Sequence, residues 1–150
     1  METTIKMIKE IKIKKLYEDS IIPTRGSEYA AGYDLYAHEG ATIEPHSTVK
    51  VGSGVAIQPP KDTFGAVFAR SGLATKQGLR PANCVGVCDY DYTGEYIVAL
   101  HNDTDEVKTI EVGERIAQVV FIPYINVSFV EVDDLDETER GAGGFGSTGA

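Results

Sequence analysis

Short strand-like runs separated by turn residues are the feature that most constrains the fold of this chain. The runs are rich in β-branched and aromatic residues, clusters of Gly, Pro, Asn or Asp separate most of them, and helical periodicity is scarce. We expect strands at residues 11–16, 33–37, 48–51, 54–58, 64–69, 95–101, 107–112, 115–123 and 127–132. Short strands at this spacing predict an all-β sandwich or barrel.

Two turns and one short helix punctuate these strands. Residues 59–62 and 91–94 have turn-forming sequences, and the second turn is expected to join its flanking strands as a hairpin. A short helix is expected over Ser71–Gln77, with Ser71 as its N-cap and Gly78 as the residue that ends it.

Composition divides the chain into three parts. Its 150 residues suit one domain, and a hydrophobic content of 42% suffices for a core. We expect an N-terminal extension over residues 1–10, a β domain over 11–132, and an acidic connector with a glycine-rich tail over 133–150. Such a tail should be flexible until a ligand orders it.

Charge and hydropathy exclude several kinds of partner. The chain has 14 Lys and Arg against 23 Asp and Glu, a net charge of −9 that is poorly suited to nucleic acid. No apolar run approaches the ~18 residues of a membrane span. The Lys-rich N-terminus also lacks the apolar stretch of a secretory signal. We therefore expect a cytoplasmic protein with neither a nucleic-acid nor a membrane partner.

The two cysteines show neither a disulfide nor a zinc pattern. Cys84 and Cys88 are four residues apart, which is about 13 Å in an extended segment and beyond the ~7 Å reach of a disulfide. The three histidines lack the spacing of zinc ligands. We interpret both thiols as small packing groups.

The glycine-rich tail over residues 140–149 is suited to wrapping an anion. Its glycines let backbone N–H groups approach phosphate oxygens, Arg140 adds a forked cation, and Phe145 can stack on a flat ring. Gly141, Gly143 and Gly146 match the dinucleotide fingerprint literally, but no βαβ unit surrounds them. The alternative interpretation is a disordered linker.

Three further groups of residues have both a functional and a structural interpretation. Arg70, Ser71 and Gly72 form an anion site or an ordinary helix start. The acids between residues 89 and 95 supply a general base beside tyrosine rings, or they only solvate a turn. Asp89 and Asp91 share a face if that segment is extended. Asp34 and Gln118 lie within apolar strands, where a buried polar group requires hydrogen bonds, a cation or a metal.

Taken together, these segments resemble the trimeric dUTP diphosphatases (dUTPases). The resemblance covers residue 11 to the end and rests on five motifs in order. They are AGYDLYA at 31–37, RSGLA at 70–74, GVCDYDYTGE at 86–95, GERIAQ at 113–118 and RGAGGFGSTG at 140–149.

The resemblance implies a jelly-roll-like β fold and a homotrimer in which three subunits share each active site. One subunit gives the RSG region and Gln118, a second the 86–95 segment, and a third its tail as a lid. The reaction implied is hydrolysis of dUTP to dUMP and pyrophosphate, with Mg²⁺ holding the triphosphate. This activity keeps uracil out of DNA and supplies dUMP for thymidylate synthesis.

The resemblance also implies roles for single residues. Asp89 orients and deprotonates the water that attacks the α-phosphorus, and Tyr92 packs under the deoxyribose. Asp34 is implied near the metal, acting indirectly, or in a structural network. The residues implied to bind the uracil edge are Asn83, Gly86 and Val87, with Phe145 covering the base. Those implied to bind the phosphates are Arg70, Ser71, Gly72, Gln118, Arg140, Gly146, Ser147 and Thr148.

The sequence departs from the family pattern around the proposed base. Cys88 stands where Ile or Leu is usual, and Tyr90 and Thr93 change the rim of the same segment. Two alternatives remain open from the sequence, namely deamination of dCTP by a relative of this fold and a nucleotide-binding protein without catalysis.

Overall fold

A computed structural model describes residues 10–146. Its single helix within that range, α1, spans Ser71–Gln77. The strands are β1 (Lys12–Lys15), β2 (Tyr33–Tyr36), β3 (Ala41–Ile43), β4 (Thr48–Gln58), β5 (Thr63–Phe68), β6 (Leu79–Pro81), β7 (Gly86–Cys88), β8 (Glu95–Asn102), β9 (Lys108–Ile110) and β10 (Arg115–Pro123). The all-β prediction is confirmed.

The strands form two four-stranded antiparallel sheets and one two-stranded ribbon. The orders are β1-β4-β8-β6, β2-β10-β5-β7 and β3-β9. Most sequence neighbours lie in different sheets, so the chain crosses repeatedly between the two layers. This is the jelly-roll-like arrangement of an antiparallel sandwich.

The core lies between the sheets and is built from alternate residues of the long strands. In β8, burial alternates from Tyr96 through Val98 and Leu100 to Asn102. The Asn102 side chain donates to the carbonyls of Ile43 and Glu106 at 3.0 and 2.7 Å, so its burial is compensated. These contacts tie β8 to β3 and to the loop before β9.

Strand β4 joins two of the predicted strands into one. Its pairing with β8 shifts register between Gly52 and Ala56, which makes a bulge at the residues that suggested a break. Strands β3, β6 and β7 were not predicted, because three residues are too few to show a period. Pro81 is tolerated in β6 because β6 is an edge strand.

Two other predictions are wrong. Residues 127–132 form no strand in the described part of the chain, where they are exposed and unpaired. The turn at 91–94 does not close a hairpin, because β7 pairs with β5 and β8 pairs with β4 and β6. The turn instead carries the chain from one sheet to the other.

Helix α1 has its predicted bounds but not its predicted cap. Arg70 is the N-cap and makes no side-chain capping bond, while Ser71 is the first helical residue. Gly78 ends the helix in the left-handed region at φ 68°, and its N–H donates to the Leu73 carbonyl. No helix in the described range of 10–146 is long and apolar enough to cross a membrane.

Candidate active site

The first cluster of predicted site residues surrounds Asp34. Strand β10 pairs with β2 and β5, so Gln118 faces Asp34 on one side and Phe68 on the other. The Arg70 Nε atom donates to Asp34 Oδ1 at 3.0 Å, and an Arg115 nitrogen lies 3.9 Å from Oδ2. The half-buried carboxylate is therefore satisfied by two cations, as a buried charge requires.

Gln118 is fixed by the backbone beside this ion pair. Its Nε2 group donates to the Ala69 carbonyl at 2.9 Å. Its other amide atom lies against the bare Cα of Gly32, where an added Cβ would collide with it. The side chain therefore holds the end of β5, just before the RSG sequence, in a defined position.

The start of α1 opens onto a cationic cleft. Space beside Gly72 is open, and the cleft is lined by Arg70, Lys76 and Arg115 together with Glu114. Ser71 is exposed at the first helical position. Asp34 pairs with two of these cations, so the cleft has three cations against two acids, and this net positive charge suits an anion.

The second cluster begins on the edge strand β7. Gly86 and Val87 pair with β5 on one side only, so the other edge offers free backbone donors and acceptors. Asn83 lies in the turn before β7, and its carbonyl accepts a bond from the Val85 N–H at 2.7 Å. An extended, one-sided edge of this kind can pair with a planar amide such as a pyrimidine base.

The loop from Asp89 to Glu95 follows β7 directly. The Tyr92 N–H donates to the Asp89 carbonyl at 3.1 Å, which makes a tight turn at Asp89. The chain is therefore not extended here, and the expectation that Asp89 and Asp91 share a strand face is wrong. Tyr92 is partly exposed, and its hydroxyl donates to the Glu95 carbonyl at 2.6 Å.

Tyr96 lies beneath this loop. Its ring stacks against Tyr92 with centroids 6.5 Å apart, and it is almost fully buried. Burial raises the pKa of the Tyr96 hydroxyl, and the nearby Cys88 thiol raises it further. Burial likewise raises the pKa of Cys88, so this thiol stays protonated beside Asp89. The loop therefore packs on two uncharged side chains, Tyr96 and Cys88.

The two clusters lie far apart within one chain. Because β7 runs antiparallel to β5 and Cys88 pairs with Gly65, Asp89 lies level with Phe64, six residues before Arg70. At about 3.3 Å per residue, the Asp89 and Arg70 backbones are separated by roughly 20 Å. A general base acts within ~2.6–3.2 Å of its proton. One chain therefore does not bring Asp89 onto a phosphate held at Arg70.

In the described part of the tail, residues 140–146, the hydrogen bonds are made within the tail or to Thr138. Arg140 Nε donates to the Gly143 carbonyl at 2.7 Å, and the Gly141 N–H donates to Thr138 Oγ1 at 3.0 Å. These contacts are local, and the Phe145 side chain is fully exposed. Ser147 and Thr148 lie outside the described residues, as do residues 1–9 of the predicted extension.

Over residues 10–146 there is no group of three His, Cys, Asp or Glu side chains placed to bind a metal ion. Cys84 and Cys88 are both free thiols. The Asp34 carboxylate faces Arg70 and Arg115 rather than other acids, and its role near a metal or in a structural network stays a prediction. Mg²⁺ often binds substrate phosphates with few protein ligands, so the residues present suit a metal carried in by a triphosphate.

Sequence reasoning gave no role to Arg115, and it included Glu95 only among the acids of residues 89–95. Arg115 stands in the GERIAQ motif and completes the charge around Asp34. Glu95 accepts a hydrogen bond from the Gly54 N–H at 2.8 Å. The sequence signal for Arg115 was its place in the GERIAQ motif, at the start of a strand whose other polar residue is Gln118. The partner of Glu95 depends on a bulge that periodicity does not reveal.

Comparison with known proteins gives one consistent result. The family model for dUTPase matches residues 18–149. A deoxyuridine 5'-triphosphate nucleotidohydrolase of Desulfitobacterium hafniense is 48% identical over 145 residues, which cover 93% of this chain and 96% of that protein. A protein of the same name from Yarrowia lipolytica is 44% identical, with 93% and 88% covered.

A solved structure extends the likeness to the fold. A dUTPase variant of Staphylococcus bacteriophage 80alpha, determined with dUpNHpp, superposes with a TM-score of 0.86 at 27% identity. The match covers 94% of this chain and 99% of that one.

Proposed function

The chain belongs to the dUTPase family, and we propose that it hydrolyses dUTP to dUMP and pyrophosphate. The observation that carries this proposal is the edge strand β7, whose free backbone edge leads directly into the Asp89 loop. A base bound along that edge places its own nucleotide beside the carboxylate. Removal of dUTP and supply of dUMP are the consequences for the cell.

Asp89 is proposed as the general base. It orients a water molecule and takes its proton as the water oxygen bonds to the α-phosphorus. The bond from that phosphorus to the α,β-bridging oxygen breaks, and pyrophosphate leaves. General-base catalysis of this kind contributes ~10²–10⁴-fold. Most of the remaining acceleration comes from positioning and from neutralising phosphate charge.

Tyr92 and β7 are proposed to select the nucleotide. The Tyr92 ring packs under the deoxyribose and leaves no room for a 2′-hydroxyl. Backbone groups from Asn83 to Val87 hydrogen-bond the uracil edge. Cytosine is rejected because its 4-amino group meets a donor, and a site that leaves buried polar groups unpaired discriminates strongly.

The phosphates are proposed to be held from other subunits of a homotrimer. The separation of about 20 Å between Asp89 and Arg70 supports this, because a shared site brings the Asp89 loop of one chain to the Arg70 cleft of another. Arg70, Ser71, Gly72 and Gln118 supply donors to the triphosphate. The Arg70–Asp34 ion pair keeps the guanidinium aimed from the end of β5.

The tail of a third subunit is proposed as the lid. Arg140 and Gly146, with Ser147 and Thr148, hold the γ-phosphate end, and Phe145 covers the uracil. The exposure of the Phe145 ring supports this, because a large apolar side chain in water gains by packing against a base. The predicted boundaries at 10/11 and 132/133 and a cytoplasmic location remain predictions.

Mg²⁺ is proposed to arrive with the substrate. When bound to the triphosphate it neutralises charge and fixes the phosphate conformation. Asp34 would act on it only through Arg70, since its two oxygens already face Arg70 and Arg115.

Pyrophosphate release from dUTP and dTTP, measured side by side with Mg²⁺, tests the proposal. We expect turnover of dUTP, little release from dTTP, and loss of activity in EDTA. Ammonia release from dCTP would favour deamination instead. Binding of dUTP without any product would favour a binding protein. Either result, with dUTP left intact, overturns the proposal.

A further inference from the structure

The bulge in β4 leaves one backbone N–H without a ladder partner, and a side chain of β8 accepts its hydrogen bond instead. Ladder pairing runs to Gly52 and resumes at Ala56, so residues 53–55 lie opposite Tyr96 alone. The Gly54 N–H in this gap donates to Glu95 Oε2 at 2.8 Å. The half-buried carboxylate thus replaces the ladder bond that the bulge removes.

The bulge itself is fixed from the opposite side. Gly54 adopts the left-handed region at φ 73°, and its carbonyl accepts bonds from Ser20 Oγ at 2.7 Å and the Leu16 N–H at 2.9 Å. The Glu95 carboxylate lies on the bare Cα of Gly52, where an added Cβ would collide with it. Glu95 is therefore anchored to a rigid part of the sandwich.

The same residue holds Tyr92 through its backbone. The Tyr92 hydroxyl donates to the Glu95 carbonyl at 2.6 Å, and a Cβ on Gly94 would come within 2.8 Å of that hydroxyl. Because the Tyr92 N–H also bonds to the Asp89 carbonyl, the turn at Asp89 is connected through Tyr92 to Glu95. The Glu95 side chain in turn bonds to the bulge in β4 at Gly54.

We propose that Glu95 is a positioning residue that fixes Tyr92 against the sugar and so enforces the choice of a 2′-deoxyribonucleotide. This inference rests on the proposed function. Excluding one hydroxyl by packing requires that the ring hold its place closely, which a supporting hydrogen bond to a rigid strand provides. The charge of Glu95 matters less than its acceptor oxygen.

The test compares Glu95→Ala with Glu95→Gln. Each variant is assayed for kcat/KM with dUTP and with UTP. We expect Glu95→Ala to lower the dUTP-to-UTP ratio by about tenfold or more. Glu95→Gln retains an acceptor for the Gly54 N–H and should keep the wild-type ratio. Gly52→Ala, which displaces the carboxylate from the other strand, should lower the ratio as Glu95→Ala does.

The ratio of kcat/KM for dUTP to kcat/KM for UTP distinguishes a positioning role from a loss of stability. A variant that only loses folded protein loses activity with both substrates equally, so its ratio stays unchanged. Ile43→Val, a buried change on β3, provides this control. If Glu95→Ala does not fold, the ratio is measured in Glu95→Asp, which withdraws the carboxylate from the Gly54 N–H by one methylene.

An unchanged ratio in Glu95→Ala and Gly52→Ala, in an enzyme that hydrolyses dUTP, overturns the inference alone. A wild-type chain that leaves dUTP intact overturns the proposed function.

Discussion

The sandwich of residues 12–123 and the segment of residues 124–146 both carry large apolar side chains, yet only the sandwich buries them. Leu35, Leu100 and Ile116 have no exposed surface, whereas Phe129 is 98% exposed. In the sandwich, each strand finds a neighbour within the chain. The segment finds none in the described residues after Pro123.

The difference shows that the stability of one subunit comes from the sandwich, whereas the segment of residues 124–146 presents apolar surface that one chain leaves exposed. Burial of the sandwich strands stabilises the subunit, and that fold displays Asp89, Tyr92 and the Arg70 cleft. An exposed apolar segment of this length is expected to pack against another surface. The segment therefore contributes little to the stability of one subunit, and we propose that it packs against a neighbouring subunit.

The largest expected effect is a loss of kcat on replacing Asp89, which lies in the sandwich. Asp89→Asn removes the base but keeps the shape of the loop, so kcat with dUTP should fall by ~10²–10⁴-fold while binding of a non-hydrolysable analogue is retained. Steady-state kinetics and calorimetric titration measure the two quantities. Asp91→Asn, in the same turn, is the matched control and should change kcat little. Wild-type turnover by Asp89→Asn would show that the base lies elsewhere.

Deleting residues 140–150 tests whether the tail contributes to turnover without contributing to stability. The described contacts of Arg140 and Gly141 are local, so the melting temperature should be unchanged. Turnover should fall by at least ~10²-fold, as when donors to a developing charge are removed. Differential scanning fluorimetry and pyrophosphate release measure these outcomes. Full activity in the truncated protein would remove the tail from the mechanism.

A pair of apolar substitutions separates subunit stability from assembly. Leu100→Ala removes core packing and should lower the free energy of unfolding by ~2–5 kcal/mol, measured in urea. Phe129→Ser should leave the circular dichroism spectrum unchanged but lower the assembled fraction in sedimentation velocity. If both variants sediment as the wild type does, the exposed segment is not an assembly surface.

The smallest expected effect concerns an ion pair at the rim of the sandwich. The hydrogen bond from Arg80 lowers the pKa of Asp103 below its ordinary value of 3.8. Its contribution to stability is therefore complete above that value and is lost as pH falls through the lowered pKa. Asp103→Asn should lower the melting temperature at about pH 7 and by less at about pH 3. An equal deficit at both pH values would contradict this origin.

Several features were predictable because local sequence is sufficient for them. The bounds of α1 and its end at Gly78 follow from turn chemistry that involves few residues. Strand β10 keeps its predicted bounds because nine residues show their pattern clearly. The Asp34 carboxylate was expected to need hydrogen bonds, a cation or a metal, and Arg70 supplies both a hydrogen bond and a cation.

Other predictions were wrong because these segments depend on pairing with residues far away in the chain. Residues 127–132 have the composition of a strand, but a strand exists only where a second strand pairs with it. The expected hairpin at 91–94 failed because β7 and β8 pair with other partners. Glu95 bonds to the Gly54 N–H because the register of β4 shifts between Gly52 and Ala56, and the sequence does not reveal that shift.

The order and chemistry of five short motifs determined, from the sequence alone, the class of fold and the groups available for catalysis. Which groups meet was decided only by the tertiary structure. It brings together Arg70 at the start of α1, Asp34 in β2 and Gln118 in β10, and it holds Asp89 about 20 Å from Arg70. The reason is that side-chain chemistry is a local property, whereas distance in an antiparallel sandwich depends on pairings between residues far apart in the chain.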